Sequence, residues 1–167
     1  MRVMKGYHAF ATNTPIQHIR GVALLYRYNN PQFQVKKMKK HEPNVLCSQV
    51  SSGGRRWFIV GCYLAPNNVA TIERLVTAIG QRPRGAELMV AGYLNTNSAT
   101  PGGSKHMEEI TASISTSGMQ DISTHFLLHH KYWAWDRRTW CMRHLVRKVW
   151  SRTEYILGMD IRMFQNV

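Results

Sequence analysis

Residues 87–95 read Glu87-Leu88-Met89-Val90-Ala91-Gly92-Tyr93-Leu94-Asn95. Residues 87–91 read as a short strand with apolar residues from Leu88 to Ala91, Gly92 closes it, and the polar Tyr93 and Asn95 follow. A run of this length, bounded by a turn former, predicts a buried strand. Polar side chains just beyond the carboxyl end of a buried strand sit where an α/β sheet usually presents its ligand mouth. Asn95 has two readings at this position, a turn residue or a member of that mouth.

Upstream, Ile72, Leu75, Val76 and Ile79 recur at helical spacing and predict a helix over residues 69–81. Asn68 is placed to cap its start, and Pro83 follows its end. Residues 56–64 are rich in aromatic and β-branched side chains and read as a strand. With residues 45–50 and the Ser-Ser-Gly-Gly turn at 51–54, they make a hairpin. Residues 21–27 (Gly-Val-Ala-Leu-Leu-Tyr-Arg) are a further strand, residues 29–32 a turn, and residues 36–40 a basic cluster around Met38.

Downstream, residues 100–104 are a Pro-Gly-Gly loop. Met107, Ile110 and Ile114 mark a second amphipathic helix, with Glu108 and Glu109 in its first turn and Gly118 at its end. Residues 138–143 and 152–157 read as two later strands. Strand, helix, strand, helix and further strands in that order define an α/β architecture rather than a bundle. Residues 1–20 are left as a segment without a defined element, and residues 21–167 as one domain.

The 167 residues are 44% hydrophobic and 19% charged, an ordinary balance for a packed core. The net charge is +13 and the pI about 10.2, an excess that attracts polyanions, of which nucleic acid is the commonest. Lys131, Arg137, Arg138, Arg143, Arg147, Lys148 and Arg152 are interleaved with Trp133, Trp135, Trp140 and Trp150. This pattern suits a surface that neutralises phosphates and stacks bases. Trp140 reads as a core residue instead. Cys47, Cys62 and Cys141 form neither a disulfide framework nor a zinc motif. Residues 1–13 lack a signal-like apolar run, and no stretch of about 18 apolar residues exists. The expectation is an intracellular protein, nuclear or cytoplasmic, with DNA or another nucleic acid as partner and no membrane.

Three more motifs join the 92–95 segment: Tyr63-Leu64-Ala65-Pro66 at a strand end, Thr139-Trp140, and Ser151-Arg152-Thr153-Glu154-Tyr155-Ile156-Leu157. Glu154 is an acid inside an apolar strand. It needs a partner if buried, and none if the strand is an edge with Glu154 in solvent. In this order the motifs resemble the endonuclease/exonuclease/phosphatase superfamily, and within it the apurinic-like endonuclease domains of retrotransposons without long terminal repeats. The resemblance covers residues 21–167. It implies a four-layered α/β sandwich, present here in part, and magnesium-dependent phosphodiester hydrolysis beside a reverse transcriptase region. By resemblance Tyr63 matches the tyrosine on the scissile phosphate and Asn95 the asparagine that holds phosphate and nucleophile. Glu154 matches the aspartate that orients the catalytic histidine, and Asp121 a structural aspartate.

The chain also departs from that pattern. Tyr93 stands where the family has the aspartate of Gly-Asp-x-Asn. A phenol is a poor base at neutral pH and brings a metal no charge. Glu154 is one methylene longer than aspartate. No counterpart of the N-terminal metal-binding glutamate or of the closing Ser-Asp-His is found, and Glu42 lies in a lysine-rich turn. Magnesium prefers several carboxylate oxygens, so its binding is doubtful on this reading. The adjacent His129 and His130 face apart on any regular element and make no metal pair. The readings left are a nuclease domain without activity, a noncatalytic basic module that holds nucleic acid, and a relic with no function.

Overall fold

The computed structural model describes residues 5–12, 21–27, 31–38, 42–65, 68–94, 108–110, 112, 118–121, 141–143, 150–152 and 154–158, with the strands after residue 119 described by their backbone. In chain order the elements are β1 (Tyr7–Ala11), β2 (Ala23–Arg27), β3 (Gln34–Lys37), β4 (Val45–Ser52), β5 (Arg55–Tyr63), α1 (Val69–Gly80), β6 (Glu87–Tyr93), β7 (Gln120–Asp121), β8 (Cys141–Arg143), β9 (Trp150–Arg152) and β10 (Glu154–Gly158).

Six strands form the main sheet in the order β3-β4-β5-β6-β10-β7. Among the described strands only β5 and β6 run parallel, because α1 carries the chain back across the sheet between them; a parallel pair requires such a crossover. The β4–β5 hairpin turns at Gly53 and Gly54, both at positive φ. Ser51 and Ser52, assigned to the turn from sequence, are the last residues of β4.

Alternation along β5 sends Phe58, Val60 and Cys62 to one face, where Val45 and Cys47 of β4, Leu88 and Val90 of β6, and Ile72, Leu75, Ala78 and Ile79 of α1 close the core. Phe58, Val60, Leu75 and Leu88 are fully buried. Two details of the helix differ from the sequence expectation. Val76 is 39% exposed, because the buried stripe turns through Thr71, Leu75 and Ala78. Asn68 holds the capping position, but its side chain makes no cap bond. Its carbonyl instead accepts from the Thr71 amide (3.1 Å) and the Thr71 hydroxyl (2.7 Å).

The sheet face opposite α1 meets the β1–β2 ribbon. A Cβ added at Gly61 would stand 2.8 Å from Cγ1 of Val22, so glycine at 61 lets the ribbon approach. Thr12 extends the ribbon beyond β1: its amide donates to the Val22 carbonyl (2.9 Å) and its hydroxyl accepts from the Val22 amide (3.0 Å). Helix, six-stranded sheet and ribbon thus stack as three layers. The chain is α/β, as its pattern predicts. β1 and β3 have no counterpart in the sequence reading. Residues 152–157, read as one strand, are divided between β9, which pairs with β8, and β10, which enters the main sheet. Of the second expected helix, residues 108–110 and 112 are helical and Ile110 is buried; Met107 and Ile114 lie outside the described residues.

Cys47 and Cys62 are free thiols in the α1-facing core. Burial pushes Cys47 from 9.0 up to about 11 and Cys62 up to about 12, the latter also raised by Cys47. Both should resist a disulfide reagent at pH 8 in the folded protein and react once urea unfolds it. An acid whose folded pKa is raised stabilises the fold fully below its unfolded pKa. That stability is lost as pH rises from about 9 through 11 and 12, by about 1.4 kcal/mol per pH unit for each thiol. Urea melts between pH 8 and 10.5 should show this fall, and Cys62→Ala should lessen its slope.

Candidate functional site at the carboxyl end of the parallel pair

The site grows from one close approach. Gly92 has φ +152°, and a Cβ there would overlap the carbonyl oxygen of Cys62 and lie 2.9 Å from its carbon. Without a side chain at 92, β6 closes on β5 at its last turn of pleat. Register then sets Tyr63 beside Tyr93, and the Leu64 amide donates to the Tyr93 carbonyl at 2.8 Å. The two phenol rings stack with centroids 5.5 Å apart at 25°. Both are half-buried on the face opposite α1.

Neighbouring strands extend the row. Glu154, first residue of β10, is the register partner of Tyr93. On the other side the Tyr63 amide donates to the carbonyl of Asn44 (2.9 Å). Asn44 is 4% exposed, and its Oδ1 has no hydrogen-bond partner among the described residues. Asn44, just before β4, therefore lies in one register row with Tyr63 of β5, Tyr93 of β6 and Glu154 of β10. Sequence reasoning passed over Asn44, whose only signal is a Pro-Asn pair before a strand. Glu154 does not sit on an edge strand of the sheet, since β10 runs between β6 and β7.

Asn95 lies outside the described residues, as do Arg137, Arg138, Arg147 and Lys148. Arg143 and Arg152 are placed by their strands at the two ends of the β8–β9 pairing, opposite Trp150 and Cys141. Asp121 lies in β7 opposite Leu157. Glu42 forms an ion pair with Arg74 of α1 at 3.7 Å. Among the described residues no three His, Cys, Asp or Glu side chains converge on a metal position, and the phenols that dominate the described mouth are poor ligands for magnesium. Of the four described residues of the row, Glu154 alone carries a carboxylate. No described helix is long and apolar enough to cross a membrane.

No family model matches the sequence, and no curated protein matches it. Solved structures do match the fold. The endonuclease domain of TRAS1, a telomere-specific non-LTR retrotransposon, superposes with a TM-score of 0.61 at 14% identity, over 94% of this chain and 68% of that one. An AP endonuclease from Archaeoglobus fulgidus gives 0.56 at 15% identity, over 92% and 67%. D. rerio TDP2, complexed with a single-strand DNA product, gives 0.56 at 14%, over 95% and 64%. The chain carries the endonuclease/exonuclease/phosphatase fold and spans about two thirds of the length of these neighbours.

Proposed function

We propose that this chain is a nucleic-acid-holding module on a nuclease fold, without the hydrolytic step. The observation that carries the reading is the Tyr63–Tyr93 stack. By resemblance, position 93 is where a carboxylate would position the attacking water. Here a phenol fills it and packs on its neighbour, so the proton acceptor is replaced by an aromatic surface. Tyr63 offers a hydroxyl to a phosphate at the same place. The net charge of +13 and the arginines and lysines of residues 131–152 supply attraction for the backbone. Neighbours of this fold that act on DNA support nucleic acid as the partner. The origin in a retroelement and a neighbouring reverse transcriptase region belong to the same proposal.

General base catalysis contributes about 10²–10⁴-fold, and its loss places hydrolysis near background. Purified protein should bind plasmid and abasic duplex, yet leave both uncut with or without magnesium. Magnesium-dependent nicking that disappears in Tyr63→Phe would instead establish an active endonuclease.

A further inference from the structure

The opposite end of the main sheet carries a second cationic feature that the mouth does not use. Arg55 and Arg56 begin β5, and Arg82 and Arg84 lie in the connection between α1 and β6. Register places Trp57 beside Glu87, so the starts of β5 and β6 are adjacent. All four arginines are exposed. The Arg56 guanidinium donates to the Arg84 carbonyl at 3.4 Å and lies 3.2 Å from where a Cβ on Gly85 would be, which ties the two loops together. Arginines after a helix answer its carboxyl-terminal dipole. That accounts for a cation at 82 or 84 and not for the pair on the strand.

We infer that Arg55, Arg56, Arg82 and Arg84 form a phosphate-backbone contact surface for nucleic acid, separate from the mouth. Six residue steps along β6 put the two ends about 20 Å apart. Guanidinium forks match phosphate oxygens two at a time. The residues next to them in the two connections are Ser52, Gly53, Gly54, Gln81, Pro83 and Gly85, and Glu87, half-buried beside Trp57, is the one acid at the strand starts. None of the large apolar side chains exposed among the described residues (Leu25, Phe33, Val69, Val76) lies in either loop. A membrane-binding surface would need such anchors; a polyphosphate strand does not. The inference rests on nucleic acid being the partner.

The test is the affinity for a short labelled DNA duplex as a function of KCl concentration, for the full chain and for R55Q/R84Q. Each phosphate contact adds about 0.9 to the salt slope, so the double variant should lower it by about 1.8, and R84Q alone by half as much. K36Q/K37Q removes the same charge elsewhere and should lower the slope less. Equal slopes for wild type and R55Q/R84Q, or an equal fall in K36Q/K37Q, overturn the surface while leaving the proposed function standing. No duplex binding by the wild type overturns both. Arginine-dependent binding to phosphatidylserine vesicles without duplex binding reassigns the patch to a membrane and overturns the inference. Should R55Q/R84Q lose its far-UV dichroism, R84Q alone decides.

Discussion

Gly92→Ala should cost about 4 kcal/mol of stability, enough to unfold the variant at urea concentrations where the wild type is still folded. The added methyl carbon would fall on the backbone carbonyl of Cys62. Backbone cannot rotate aside as a flexible side chain does, so β6 must move away from β5. At φ +152° an L side chain also adds strain of order 1–3 kcal/mol. Overpacking adds another 1–3 kcal/mol. A total near 4 kcal/mol is a large share of the 5–15 kcal/mol that stabilises a typical domain. Urea denaturation followed by far-UV dichroism checks it. A loss below about 1 kcal/mol would show that the strands separate easily there, and that the Tyr63–Tyr93 stack is not held by this approach.

Phe58→Ala should cost about 3–5 kcal/mol. Phe58 is 0% exposed and lies among Leu75, Leu88 and other core side chains between β5 and α1. Its removal leaves a cavity that neighbours fixed by two strands and a helix cannot fill. Phe58→Leu restores much of the volume and should cost far less. The pair of variants, compared by urea midpoint, separates lost packing from a general intolerance of change at this position.

The central elements were legible because each carries a local signal that its neighbours do not share. Residues 56–64 are rich in aromatic and β-branched side chains, residues 69–81 repeat at helical spacing, and residues 88–91 are an apolar run closed by Gly92. The parts not legible are made by tertiary contact. β3 is Gln-Val-Lys-Lys, a sequence with little strand tendency that becomes a strand because β4 offers it a ladder. Val76 fits the helical spacing but falls outside the stripe that the sheet covers. At the site, Tyr63 and Tyr93 were each visible as polar residues ending strands. Their stacking follows from the parallel register and the bare glycine at 92, which no single stretch of sequence encodes. The four arginines at the far end are unremarkable in sequence because Gly-Gly-Arg-Arg and Gln-Arg-Pro-Arg-Gly lie on different elements.

The strand order has a consequence for synthesis. β10 pairs with β6 over five positions, and among the described strands β7 joins the main sheet through β10. β7 emerges from the ribosome well before the strand that will hold it. Until residues 154–158 arrive, β6 has Met89, Val90, Ala91, Gly92 and Tyr93 on an open border that β10 will later pair. Such a border is a template for a second nascent chain. Expression of this protein should therefore depend on chaperones that shield a waiting strand, and on translation speed through residues 94–153.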